Sequence, residues 1–380
     1  MKKITFAFLP FLFVGFTLPR ENCRQNTQTI IVKTIIENQS DGPYVSYWGD
    51  KIFVKYIVEE NGKQKVKEEK YSLAQKADIS LSVLTDEPGK FFTVKLKSEL
   101  KTEKNEYSRK ISKQFIVSDI EGNFKAFRKL LQAGNVIDEH FNWTFGEGHL
   151  VLTGDFVDRG DQQTEVLWLI YSLEEKAKAA GGHVHYILGN HEIMNLNGDL
   201  RYLNNKYSEN ATMLFEDFNI LYGENYEIGR WLRTKSVIEQ VGDVLFCHGG
   251  ISAAVNKMDV SVSKINKLVR PHYAESNLEN LSLEADILYS DHGPFWYRGY
   301  YLGTKRATIN QVDSTLSLYK VRHIVTGHTV VADTITVLFN GKVFNADVHH
   351  AKGNSEALVI EGGNYFRLSQ SGEKKLIFQK

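Results

Sequence analysis

The sequence predicts an α/β fold, a layered β-sandwich flanked by helices, with a small antiparallel β domain on its N-terminal side. Two observations carry this. Beyond residue 112, apolar β-branched runs alternate with segments of helical period, the pattern of strands covered by helices. Between 27 and 100, by contrast, short β-type segments follow one another with only polar turns between them. Three parts result: residues 1–23 as a signal peptide, 24–110 as the β domain and linker, and 111–380 as the catalytic domain.

Residues 1–18 open with Lys2 and Lys3, continue through an apolar run from Ile4 to Phe16, and turn polar at Arg20, Glu21 and Asn22. A basic start, a short apolar stretch and a polar exit are the features of an export signal, and the run is shorter than the roughly 20 residues a spanning helix requires. The expectation is an exported chain, periplasmic or secreted. Of the two cysteines, Cys23 follows the apolar run and Cys247 lies far away inside a strand-like segment, so no disulfide framework is expected. Cys23 is a candidate for lipid attachment, and contact with a membrane is expected only in that case. The residues before it, Pro19 to Asn22, are not the small apolar ones a lipoprotein signal favours.

The β domain reads as segments at 29–36, 51–59, 65–71 and 91–97. Asn61-Gly62 marks a tight hairpin, because a type I′ turn needs positive φ at both central positions. Tyr44, Tyr47 and Trp48 suit sheet-face packing. Residues 101–110 read as a polar linker. In the larger part, Phe124, Phe127, Leu130 and Leu131 line one helix face, and Val166, Leu169, Ile170 and Leu173 line another that closes at Gly181-Gly182.

Five strand-like runs in that part stop at a possible metal ligand. Phe115-Ile116-Val117-Ser118 leads to Asp119, Leu150-Val151-Leu152-Thr153-Gly154 to Asp155, and Tyr186-Ile187-Leu188-Gly189 to Asn190. Val244-Leu245-Phe246-Cys247 leads to His248, and Ile324-Val325-Thr326-Gly327 to His328. Singly, an Asp after a strand is a turn former and a strand-end His a satisfied polar residue; together they converge at one sheet edge, where open α/β folds place their sites. Carboxylate, carboxamide and imidazole suit divalent ions, oxygen donors favouring manganese or magnesium and imidazole favouring zinc or iron. Lysine plus arginine and aspartate plus glutamate stand at 46 each, so no basic excess exists for a phosphate backbone, and nucleic acid is not expected as a partner.

These residues resemble the calcineurin-like metallophosphoesterases, and within them the phosphoprotein phosphatases. Gly154-Asp155-Phe156-Val157-Asp158-Arg159-Gly160 matches the family's central motif, and Gly189-Asn190-His191-Glu192 the next. His248-Gly249-Gly250 and Gly327-His328 match its two later histidine motifs. Gly229-Arg230-Trp231-Leu232-Arg233, Tyr297-Arg298-Gly299-Tyr300 and Asp41-Gly42-Pro43-Tyr44 are similar to segments of the bacterial Shewanella-like branch, whose exported members carry an N-terminal β domain. The fold implied is the metallophosphoesterase sandwich.

The resemblance implies a division of labour. Asp155 bridges two divalent ions; Asn190, His248 and His328 complete one site, and Asp119 with the residue two after it holds the other. There the chain departs from the family, reading Ser118-Asp119-Ile120-Glu121-Gly122 where a histidine is usual in place of Glu121. A carboxylate at that spacing can ligate through oxygen, which favours manganese, with magnesium, zinc or iron as the other options; alternatively Glu121 is a turn residue and that site is weakened. Arg159 and Arg298 are implied to bind phosphate, His191 to protonate the leaving oxygen and Asp158 to orient it. Glu192 has no assigned role. His349 and His350, after Asp347, stand near the expected mouth of the site, and residues 195–235 are expected to form helices and loops over it; Tyr202, Tyr207, Phe215 and Phe218 are candidates to stack on a phosphotyrosine ring, with helical core packing expected of most of them.

The implied function is metal-dependent hydrolysis of phosphoproteins, phosphotyrosine slightly ahead of phosphoserine or phosphothreonine, by direct attack of a hydroxide that two ions about 3.5 to 4 Å apart activate. The alternatives are a nucleotide or dinucleoside-polyphosphate hydrolase, sharing the same motifs, and a non-catalytic binding protein with a decayed metal site.

Overall fold

Strands whose residues are apolar without interruption must be covered on both faces, and the architecture of this chain follows from that requirement. The computed structural model describes residues 38–379 except 103, 108–110 and 305, together with Met1. The expected export segment, Cys23 and the segment at 29–36 lie outside the described residues. No described helix is long and apolar enough to cross a membrane.

The chain begins with β1 (Gln39–Trp48), β2 (Lys51–Glu60), β3 (Lys63–Ser72), β4 (Ser80–Leu84), β5 (Phe91–Lys95) and β6 (Glu106–Tyr107). The core then runs β7 (Lys113–Val117), α1 (Phe124–Ala133), β8 (His149–Leu152), α2 (Gln163–Ala179), β9 (His183–Tyr186), α3 (Asn190–Asn197) and α4 (Asn205–Met213). After further short helices come β10 (Ile238–Val241), β11 (Val244–Cys247), β12 (His323–Thr326), β13 (Thr336–Leu338) and β14 (Val343–Asn345). The chain closes with β15 (Glu356–Glu361), β16 (Asn364–Ser369) and β17 (Lys374–Gln379).

Two six-stranded sheets form the sandwich, one ordered β13-β14-β12-β11-β10-β6 and the other β17-β16-β15-β7-β8-β9. Side chains that alternate along each strand are shared between two cores. Ile116 and Val151 meet Val244, Phe246, Val325 and Phe344 in the layer between the sheets. Their neighbours Phe115, Val117, Leu150, Leu152, Leu245, Cys247 and Ile324 join the outer core that includes the buried faces of α1 and α2. Each of these strands therefore reads as a continuous apolar run.

The described residues from Asn38 onward belong to one compact unit, in which β1, β2 and β3 make an antiparallel sheet and β4 pairs with β5. Asn61 and Gly62 turn between β2 and β3 at φ 54° and 71°, as the hairpin expectation required. β3 is largely exposed and rich in charge, with Lys63, Lys65, Lys67 and Lys70 beside Glu68 and Glu69, which discourages a further strand from adding to that edge. β1 packs toward α2: the Trp168 indole N–H donates to the Pro43 carbonyl at 2.9 Å, and the hydroxyls of Tyr47 and Tyr171 each donate to Glu227 at 2.6 Å. Trp48 departs from expectation, being 75% exposed at the end of β1. The polar stretch at 101–110 also contributes structure, since β6 pairs in parallel with β10.

Candidate metal centre

Parallel pairing puts the ligand-bearing strand ends on a common edge. Val117, Leu152 and Tyr186 are in register across β7, β8 and β9, and Phe246 faces Val325 across β11 and β12. Immediately beyond these ends the backbone enters an uncommon conformation. Asp119, Glu121, Asp155, Asp158, Arg159 and His328 all have φ between 50° and 69°, a left-handed region costly for residues other than glycine. Glycines permit the loops to nest: a Cβ on Gly189 would collide with the Asp155 carboxylate, and one on Gly327 with Ser118 and Asp119.

Four donors converge beyond these turns. His248 Nε2 lies 3.0 Å from Asp155 Oδ2, 3.1 Å from Asn190 Oδ1 and 3.2 Å from His328 Nδ1. The ligand atoms of Asp155, His248 and His328 all sit within 4.8 Å of one another. His248 Nδ1 faces the Thr153 carbonyl at 2.8 Å; with the proton on that nitrogen, the Nε2 lone pair turns toward the cluster, the usual way a second partner orients a metal-binding imidazole. His328 Nε2 is buried and unpartnered among the described residues.

Asp119 and Asp155 are buried, as is Asp347, and the three line one cavity of about 370 Å³ together with Glu121, Arg159, Asn190, His191, Arg298 and His328. Burial raises the pKa of Asp119 to about 6, with Asp155 adding to the rise and His248 opposing it. Burial likewise drives Asp347 well above the usual carboxylate range, Asp119 reinforcing it. Burial would also raise Asp155, but His248 and His191 hold it low. For His248, the opposing burial is overcome by Asp155 and Asp119, which push it up to about 10. So much anionic charge held out of water calls for cations, and mixed carboxylate, carboxamide and imidazole donors fit divalent metal ions.

His191 follows Asn190 at the start of α3. Its backbone N–H donates to Asp155 Oδ1 at 2.9 Å, and its Nδ1 is 2.6 Å from Asp158 Oδ2. Asn195 fixes Asp158 in turn, donating to its other oxygen at 2.7 Å. His191 Nε2 is left toward the cavity, 3.7 Å from Asp155 Oδ2. Arg298 donates to the His328 carbonyl and to Thr329 Oγ1, which sets its guanidinium beside the loop after β12.

Glu121 lines the same cavity and has a protein partner there. Its carboxylate forms an ion pair with Arg159; like Asp119 and Asp347, it lies outside the cluster of Asp155, His248 and His328. The left-handed backbone at both residues, together with the Gly160 N–H donating to the Glu121 carbonyl at 2.9 Å, brings the two side chains together. His350 also leaves the site, its Nε2 2.9 Å from the Ser118 carbonyl, whereas His349 lines the cavity.

Glu192 gains a role that its sequence position alone did not assign. The Glu192 carboxylate accepts from the backbone N–H groups of Gly189, Asp155 and Phe156 at 2.7 to 2.9 Å, clamping the ends of β8 and β9 together. Its place three residues after the glycine that starts α3 is the reach-back position of a helix N-terminus, a signal present in the sequence. Tyr202 is 43% exposed, its ring 4.9 Å from that of His191 and 5.2 Å from the Arg159 guanidinium. Tyr207 and Phe218 are core residues, and Phe215 is exposed.

The family model for calcineurin-like phosphoesterases matches residues 113–332, more than half of the chain. The chain belongs to this family. This phosphoesterase is accordingly a hydrolase of phosphate esters from a family that uses divalent metals. Its fold is similar to the crystal structure of a cold-active protein-tyrosine phosphatase from a psychrophilic Shewanella species. The TM-score is 0.79 at 34% identity, covering 89% of this chain and 99% of that one. In sequence it is 28% identical over 225 residues to Shewanella-like protein phosphatase 1 of Plasmodium berghei, covering 56% of this chain and 60% of that protein. It is also 27% identical over 203 residues to a symmetrical bis(5′-nucleosyl)-tetraphosphatase of Buchnera aphidicola, covering 52% of this chain and 61% of that enzyme.

Proposed function

We propose that this phosphoesterase is a two-metal phosphomonoesterase acting on phosphoproteins, with phosphotyrosine its preferred residue and manganese its preferred ion. The observation that carries the reading is the convergence of Asp155, Asn190 and His328 on His248 Nε2, at a cavity also lined by His191 and two arginines. Divalent ions bound there supply a water of lowered pKa and neutralise the charge of the phosphoryl group.

The chain's own residues account for the remainder. His191 is oriented through Nδ1 by Asp158 and presents Nε2 to the cavity, the arrangement of a group that protonates a leaving oxygen. Burial would lower its pKa, but Asp155 and Asp158 raise it, which favours the proton-bearing form such a donor needs. Arg298, at the cavity wall, offers a permanently charged planar donor to phosphate oxygens. The half-exposed Tyr202 ring provides an aromatic flank for a phosphotyrosine ring, and the Shewanella relative supports the same preference.

The Buchnera relative favours a second reading, hydrolysis of a dinucleoside polyphosphate. Initial rates separate the two. Metal-stripped protein is re-supplied in turn with manganese, magnesium, zinc or iron and offered a phosphotyrosine peptide, a phosphoserine peptide and a dinucleoside tetraphosphate. Manganese-dependent turnover led by the phosphotyrosine peptide is expected. Faster turnover of the tetraphosphate would transfer the assignment to the second reading, and no turnover with any ion would remove both.

A further inference from the structure

The cavity has more buried carboxylate than the expected ligand set uses. Asp347 is 5% exposed, and among the described residues no hydrogen bond or ion pair reaches its carboxylate. It sits where a ligand would be delivered. β14 is the parallel neighbour of β12, with Thr326 opposite Asn345. His328 lies two residues past the end of β12, and Asp347 two residues past the end of β14. Asp119 follows the end of β7 by the same interval. The turn is fixed by three hydrogen bonds: Ala346 N–H to the Thr326 carbonyl at 2.8 Å, Asn345 Nδ2 to the Thr329 carbonyl at 2.6 Å, and Asp347 N–H to Asn345 Oδ1 at 2.8 Å. Asp347 thus ends a sixth strand on the edge that carries the other five candidates.

Glu121, meanwhile, already has a partner in Arg159, and both side chains are partly open to solvent at 27% and 45%. We propose that Asp347, and not Glu121, supplies with Asp119 and the shared Asp155 the oxygen ligands of the first metal site, leaving Glu121 to hold the Arg159 guanidinium. The assignment rests on the two-metal reading above. It gives the first site carboxylates alone, a donor set for a hard ion, while the second site keeps its two imidazoles. A carboxylate held in this cavity without a protein partner is costly to keep unless a cation occupies it, and His328 Nε2 in the same cavity is a buried polar atom with no partner among the described residues.

Metal binding itself provides the test. Wild-type protein, Asp347→Asn, Asp347→Glu and Glu121→Gln are stripped and titrated with manganese alone. Stoichiometry is read by calorimetry and elemental analysis, coupling between two manganese ions by electron paramagnetic resonance, and folding by metal-free thermal melts. Wild type is expected to bind two equivalents. Asp347→Asn should bind the first-site ion on the order of 10- to 100-fold more weakly and lose the coupled signal; Asp347→Glu, which keeps the carboxylate, should recover part of that affinity. Glu121→Gln should retain both ions. Two ions held equally by wild type and Asp347→Asn would overturn the Asp347 assignment alone, as would loss of an ion in Glu121→Gln. One ion or none in wild type would overturn the two-metal reading and this assignment with it.

Discussion

The imidazole cluster around His248 and the carboxylate side of the same cavity, with Asp119 and Glu121, are built on the same edge but by different means. On the first, His248 is oriented through Nδ1 by the Thr153 carbonyl, and Asn190 and His328 approach its Nε2 to within 3.2 Å. On the second, Asp119 is held by Ser118 Oγ and by the His328 N–H, while Glu121 is drawn away to Arg159. The difference shows what fixes a ligand. Residue type and spacing bring a side chain to the right loop, but the local backbone and the nearest opposite charge decide where its functional group points.

The largest effect is expected where the two sides join. Asp155→Asn removes the shared carboxylate, so turnover should fall by more than ~100-fold, beyond the range typical of residues that only support ligands. A melt within a few degrees of wild type would assign that loss to the site, and retained turnover would break the picture of a shared ligand. Next comes Glu192→Gln, which weakens the clamp under the imidazole side. Loss of a charged acceptor for three backbone N–H groups should lower kcat by roughly 10- to 100-fold and stability by about 1.5 to 3 kcal/mol. Steady-state rates and urea titration measure the two, and an unchanged kcat would confine Glu192 to a folding role. The smallest effect tests the rim. Tyr202→Ala should raise KM for a phosphotyrosine peptide several-fold more than for a phosphoserine peptide, in line with the ~1 kcal/mol of an aromatic pair. Equal changes for both peptides would leave Tyr202 outside ring recognition.

The imidazole side was legible in the sequence because its grammar is physical: an apolar run buried on both faces, a glycine permitting close approach, then the ligand. The hairpin at Asn61-Gly62 and the faces of α1 and α2 were legible for similar reasons. β1 was legible only in part: Tyr44 and Tyr47 read as sheet-face residues, but no segment was expected at 39–48, where the register with β2 shifts between Asp41 and Tyr44. The ion pair of Glu121 with Arg159 was not legible, because spacing carries no information about it. Asp347 was passed over because β14 is only three residues long, and its place beside β12 is a property of the sheet rather than of the neighbouring sequence.

The contacts of β1 with α2 and α4 extend beyond packing. Asn210 on α4 donates to Asp41 Oδ2 at 2.6 Å and to the Tyr44 hydroxyl at 3.1 Å, while Lys206 on the same helix reaches Asp41 at 3.2 Å and the Asp161 carbonyl at 2.7 Å. Asp161 follows Arg159-Gly160 directly, so a single lysine links the amino-terminal strand to the loop carrying Arg159. A protein engineer who trims the chain at residue 110 to obtain a minimal catalyst would therefore remove the far anchor of that loop and leave the Trp168 indole N–H without its acceptor. Grafting this catalytic core onto another carrier would have to bring β1 along.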